Sequence, residues 1–356
     1  MAEGQPQWLK DGLQGLERDP LSGQLAFREL DAQEKGIDDI SCLRSLPLLR
    51  KVQLSHNAIS TLAELQHLPL LQEVDCHHNE LVAVLDFDTR RCARDREMWA
   101  EGSQSIGPVV ERANLSFNKI VEIRDLKSHR FLRELDISHN QIQTLGKGLL
   151  KLRSLKKLNL SYNKLRAIQG LPVSLKKLDV SHNALIDCEY LARCYELEEL
   201  AVDTNKMASL SGVNACAQLR RLSISNNGIS QLEGENGVES LHEIETLVSV
   251  SLSGNPISNI PYYRERIILR LPRLVQFDGI SVTPQDKVKC GVLVGREVPS
   301  RKEVWKACVP PAIAFTNSIP TFQEDSAEDA RAMQAASDVK VVVKASGILE
   351  PSEPET

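Results

Sequence analysis

Six ring-bearing residues stand at equivalent places along the chain, each immediately before an asparagine: His56, His78, Phe117, His139, Tyr162 and His182. The triplets are of the kind Ser-His-Asn, Ser-Phe-Asn and Ser-Tyr-Asn. A row of planar side chains, most of them imidazoles, admits two chemistries. Metal binding needs nitrogen donors that converge to within about 2.1 Å of one ion, and rings set in a parallel row do not converge. Docking of another protein needs only that the rings stand side by side, because rigid planar side chains lose little entropy on contact. The row is therefore a candidate partner-binding ridge, although such triplets are also an ordinary way to fill this position. A polar column runs beside it through Gln53, Asp75, Asn114, Asp136, Asn159 and Asp179. Of these, Asp75, Asp136 and Asp179 are expected to accept hydrogen bonds from a basic partner.

No other constellation points to catalysis. The chain has no Walker-type phosphate loop, no G-x-S-x-G, no H-E-x-x-H and no dinucleotide fingerprint. Gly146-Lys147-Gly148 lacks Walker spacing, and no nucleophile and base are brought together. No enzyme activity, cofactor, metal or small-molecule substrate is expected.

The bulk properties narrow the partners. The net charge is −5 over 356 residues, with basic residues scattered rather than striped. Nucleic acid and anionic membranes are thus poor partners. No apolar run approaches the roughly 18 residues of a membrane span, and Met1 to Leu16 is too polar for a signal peptide, so a cytosolic protein is expected. The eight cysteines do not cluster as end-capping disulfides and form no C-x-x-C pair. Asn114-Leu-Ser and Asn159-Leu-Ser are sequons only by accident of the repeat.

What must position the ring column is the repeat itself. Leu132-Arg-Glu-Leu135-Asp-Ile137-Ser-His-Asn140-Gln-Ile142-Gln-Thr-Leu145 returns around Asn57, Asn79, Asn118, Asn163, Asn183, Asn205, Asn227 and Asn255. The usual step is about 22 residues, within the range of a leucine-rich unit. In each unit Leu132, Leu135 and Ile137 belong to a short extended run whose alternate residues point inward. Asn140 ends the run, and its amide is expected to bond the backbone of its own turn and of the neighbouring repeat. One repeat cannot offset its own ordering entropy, but a stack can. The equivalent residues Lys51, Glu73, Arg112, Glu134, Lys157, Lys177, Glu199 and Arg221 nearly alternate in sign, which favours sheet stability over steering of a charged ligand.

The pattern resembles the leucine-rich repeat of the cytosolic 22-residue class. The resemblance implies an α/β leucine-rich repeat solenoid, with a parallel sheet on the concave face and short helical or 3-10 segments on the convex face. The expected organisation is an N-terminal capping helix and turn over 1–24, about ten repeats over 25–260, a C-terminal repeat cap over 261–284, and an extended or partly disordered tail over 285–356. The helix is read over residues 6–18 from Trp8, Leu9, Leu13 and Leu16, despite Gly12 and Gly15. Asn79 and Asn118 stand further apart than one repeat allows, which places an Arg-rich insertion at 85–108. Arg94 and Trp99 in it are candidate partner anchors. A helix over about 262–270 and a strand through Phe277 are expected to close the open end of the core. Arg273-Leu-Val275-Gln-Phe277 also fits the basic-x-Val-x-Phe pattern by which proteins dock on protein phosphatase 1, though Leu274 and Phe277 are needed inside the cap. The apolar island Val339 to Val343 is expected to lie along the solenoid or a partner.

A narrower likeness lies in the leader, Trp8-Leu-Lys-Asp-Gly-Leu13, through Glu34-Lys-Gly-Ile-Asp-Asp-Ile40 and Leu43-Arg-Ser45. It is similar to ciliary proteins of the radial-spoke leucine-rich repeat type and to the repeat half of leucine-rich repeat guanylate kinase proteins, whose kinase domain is absent here. That resemblance implies a non-catalytic, protein-binding scaffold of the ciliary or flagellar axoneme, located in cytoplasm and cytoskeleton. The alternative reading is a regulatory subunit of a protein phosphatase 1-type enzyme. A subunit of a nuclear RNA particle would want a basic surface that the composition lacks.

Overall fold

The computed structural model describes residues 5–18, 23, 25–87, 108–234, 236–293, 341–343 and 349–351. They fall into two units, Met1–Cys308 and Val309–Thr356. In the first, thirteen strands form one sheet in strict chain order. These are β1 (Leu13–Arg18), β2 (Leu25–Asp31), β3 (Lys51–Gln53), β4 (Glu73–Asp75), β5 (Arg112–Asn114), β6 (Glu134–Asp136), β7 (Lys157–Asn159), β8 (Lys177–Asp179), β9 (Glu199–Ala201), β10 (Arg221–Ser223), β11 (Ser249–Ser251), β12 (Gln276–Phe277) and β13 (Ile280–Ser281).

Pairing is parallel from β2 through β12. In each three-residue strand the middle residue is buried, and its two neighbours face the open side. That burial follows from the period of two: Leu135, Leu178 and Leu200 are each only 2% exposed. On the opposite, convex side the chain forms 3-10 turns at Ser41–Ser45, Ala63–His67, Glu189–Arg193, Val238–Glu243 and Pro256–Asn259. Each turns an aliphatic residue inward, among them Leu43, Leu65, Leu191 and Leu241.

The asparagines hold the stack together as the repeat pattern requires. Asn140 Nδ2 donates to the carbonyls of Ile137 and Ser138 in its own turn, and to Leu115 of the preceding repeat at 3.1 Å. Its Oδ1 accepts from the Ile120 amide at 3.0 Å. The arrangement recurs from Asn57 to Asn255, so buried backbone groups at the turn find partners at each described repeat. The long step between Asn79 and Asn118 does not break it: β4 pairs directly with β5, and Leu81 donates to Asn118 across the junction. The insertion's central residues, with Arg94 and Trp99, lie outside the described residues.

Both ends depart from expectation. The predicted helix over 6–18 stops at Gly12: α1 spans Gln7–Gly12, and the chain then forms β1, antiparallel to β2. Two glycines explain the change. A Cβ on Gly12 would lie 2.2 Å from the Asp31 carbonyl oxygen, and Gly15 has a φ of +63° inside the new strand. At the other end α2 (Tyr263–Arg270) precedes the β12–β13 hairpin. A further helix, α3 (Pro284–Leu293), packs on α2 where an extended tail was expected from 285. Its first turn is closed reciprocally by Thr283 and Asp286, each backbone amide donating to the other's side chain. The parallel sheet is therefore bounded by an antiparallel strand at each edge.

In the second unit β14 (Val341–Val343) pairs antiparallel with β15 (Leu349–Pro351). Within this unit Val341–Val343 thus pairs with a segment of its own chain, and Val339 of the apolar island lies outside the described residues.

Candidate partner-binding surface

The ring column forms because of a backbone requirement. Each residue before a repeat asparagine sits in the left-handed region, with φ between 52° and 56° for all six ring residues. This conformation turns the chain out of the sheet and throws the side chain outward; histidine tolerates it better than β-branched residues do. Repeating it along a stack sets the rings face to face. Centroid separations are 4.3 Å for His56–His78, 4.1 Å for His78–Phe117, 3.9 Å for Phe117–His139, 4.1 Å for His139–Tyr162 and 3.9 Å for Tyr162–His182. Interplanar angles are 10–15°. These separations are shorter than the roughly 4.8 Å between strands, so the rings lean into contact. The run begins after Glu34 and ends before Thr204, which hold the same left-handed backbone without a ring.

The ladder is an accessible edge. Phe117 is 42% and Tyr162 46% exposed, His56 and His78 are exposed, and His139 and His182 are half-buried. The partial burial has an electrostatic consequence. Loss of water holds His139 below the ordinary histidine range, with His182 adding to the effect and Asp136 opposing it. His78 is lowered likewise by burial, and then by His56, His77 and His139.

Beside the ladder the sheet forms an open concave groove of about 930 Å³, lined by the outward residues of β3 to β11 and by residues of the β12–β13 hairpin. Its charged column resolves into cross-strand pairs. Arg112 bonds Glu73, Lys157 bonds Glu134 at 2.7 Å, and Lys177 and Arg221 both reach Glu199. Such exposed pairs add little stability individually because water screens them, and they leave little net field in the groove. The acids of the neighbouring column already carry intramolecular bonds. Asp136 accepts from the Ser138 amide and hydroxyl and from Asn159 Nδ2, and Asp179 accepts from the Ser181 amide. Asp75 accepts from His77 Nδ1 at 2.6 Å.

His77 is the residue that sequence reasoning passed over. Its position is serine in the adjoining repeats, at Ser55, Ser116, Ser138, Ser161 and Ser181. Reading that column beside the ring column would have exposed the single imidazole in it.

The described thiols offer no nucleophile. Cys76, Cys188, Cys194 and Cys216 are fully buried among aliphatic side chains. Burial pushes Cys194 up to about 11 and Cys216 to about 12, and Cys76 and Cys188 higher still. It also raises Cys42, which is half-buried, and it lifts Cys290 to about 11. Phe277 of the phosphatase-docking pattern is 1% exposed inside the cap, whereas Val275 is exposed.

Residues 112–165 and 130–185 match the family model described as leucine rich repeat. The fold is a leucine-rich repeat solenoid. Leucine-rich repeat-containing protein 43 of Mus musculus is 31% identical over 183 residues, which cover 49% of this chain and 27% of that protein. Fibromodulin of Oryctolagus cuniculus is 40% identical over 77 residues, 21% of this chain and 52% of that one. The chain thus spans about a quarter to a half of these relatives' length. Among solved structures, an internalin of Listeria monocytogenes aligns with a TM-score of 0.42 at 17% identity, covering 72% of this chain and 83% of its own. A leucine-rich repeat protein of Leptospira interrogans aligns at 0.44 and 21%, covering 70% and 71%. A concave leucine-rich repeat sheet with polar outward side chains is suited to binding protein.

Proposed function

We propose that this protein is a non-catalytic scaffold that binds another protein along its concave sheet and ring ladder, as a structural or assembly component of the ciliary or flagellar axoneme. The observation that carries the binding surface is the ladder itself. Six stacked rings, each at least partly exposed, form a rigid strip beside a groove whose charges are internally paired. Such a strip suits the planar, low-entropy contacts that dominate protein interfaces. The axonemal role is supported by the likeness of the leader, in which Leu9 is fully buried against the first repeat and Gly12 packs on Asp31.

The test is the position of a tagged copy in flagellated cells before and after detergent extraction. Retention along the axoneme is the expected result, reduced in a His139→Ala, Tyr162→Ala variant. A diffuse signal that detergent removes entirely would count against the axonemal role.

A further inference from the structure

At one end of the ladder the stack acquires a third direction. His77 is edge-on to both of its neighbours, with its ring centroid 5.1 Å from His56 at 80° and 5.3 Å from His78 at 76°. One ring nitrogen from each of His56, His77 and His78 lies within 4.8 Å of the others. The expectation that rings in a parallel row do not converge on a metal does not cover this end, because His77 does not belong to the row. It occupies the serine column, and its backbone amide makes the same turn contact to Asp75 that Ser138 makes to Asp136.

From this juxtaposition we infer that His56, His77 and His78 form a surface site for a divalent transition-metal ion of the zinc class, with Asp75 as its supporting carboxylate. The donor set is all imidazole, which suits zinc, copper and nickel rather than magnesium or calcium. Asp75 bonds His77 Nδ1 at 2.6 Å, which leaves Nε2 as the donor and supplies the carboxylate–histidine contact that orients metal-bound imidazoles. Three nitrogens at about 2.0–2.1 Å from a tetrahedral ion lie about 3.4 Å apart. The nitrogens, now within 4.8 Å of one another, would have to draw together to that value on binding, and His56 and His78 are both exposed. Asp75 also lines the concave groove, and a fourth ligand would come from water or from a side chain of a bound protein. Metal binding here is independent of the scaffold reading and of a ciliary location.

The test uses the full chain, untagged and stripped with a chelator, in equilibrium dialysis against zinc. One equivalent is expected to bind. His77→Ser should weaken it by at least tenfold while leaving the fold intact, since serine is what Ser55 and Ser116 carry in the flanking repeats. Asp75→Asn, again a residue of the repeat pattern, should weaken it by about tenfold, within the range for supporting ligands. His182→Ala at the far end of the ladder should change it by less than twofold. With cobalt(II) in place of zinc, the wild type should show the visible absorption of a four-coordinate site, and His77→Ser should not. Absence of a stoichiometric equivalent would overturn the site, as would zinc binding that survives His77→Ser or is lost equally in His182→Ala.

Discussion

At the residue scale, the ladder places titratable rings where water is partly excluded. His139, between Phe117 and Tyr162, has a folded-state value below its ordinary 6.5. The unfolded chain therefore takes up this proton first. Its contribution is neutral above the unfolded value, turns unfavourable as pH falls through 6.5, and levels off once the folded ring is also protonated. The melting temperature of the wild type should thus fall between pH 7 and 5, and His139→Phe should flatten that fall; an equally steep decline in the variant would contradict the burial argument. Asn140 is a second point of leverage. Replacing it with Ala removes its three donor contacts and one acceptor contact at a residue 7% exposed. Each buried group left unpaired costs about 1–3 kcal/mol, so urea denaturation should report a loss of about 3 kcal/mol or more. A loss below about 1 kcal/mol would mean that water replaces the amide. The asparagine role was legible in the sequence because it follows from one spacing repeated many times. His77 was not, because its meaning comes from being an exception in a column and from its nearness to His56, a ring of the preceding repeat.

At the element scale, the repeats were readable from period alone and the ends were not. The middle repeats obey a pattern in which every aliphatic position has a counterpart one repeat further on, so one correct register settles the rest. At the N-terminus, Trp8, Leu9, Leu13 and Leu16 satisfy a helical spacing over two turns. Leu9 is fully buried, yet Leu16 is 55% exposed on the edge strand. The glycines decided the matter: Gly12 allows the chain to press on the Asp31 carbonyl, and Gly15 takes a left-handed turn that a longer helix would not contain. Gly12→Ala should accordingly free the β1–β2 hairpin, raising its amide exchange by tenfold or more while β6 and β7 exchange as in the wild type. Unchanged exchange would show that the close approach relaxes without cost. The helix at Pro284–Leu293 had a signal in the sequence, Thr283 followed three residues later by Asp286, in the spacing of a reciprocal cap. It was obscured by the shift in composition that begins there.

On the scale of the whole first unit, the physics separates stability from recognition. Stability resides in the stacked aliphatic core and in the asparagine turns, both shielded at the sheet edges by the antiparallel strands β1 and β13. Under the proposed function, recognition falls to side chains that the fold does not require: the outward residues of each strand and the ladder along one margin. Zippered pairs such as Lys157–Glu134 neutralise the groove, so an attractive partner needs no large opposite charge and salt should weaken binding only modestly. The most direct measurement compares two tyrosines of similar exposure, Tyr162 at 46% on the ladder and Tyr195 at 57% in the turn after the convex 3-10 segment. Each would be replaced in turn by a photo-cross-linking phenylalanine analogue in flagellated cells. Position 162 is expected to give discrete cross-linked protein adducts, and position 195 few or none. Adducts from 195 with none from 162 would place the working surface on the convex side and contradict the proposed binding surface.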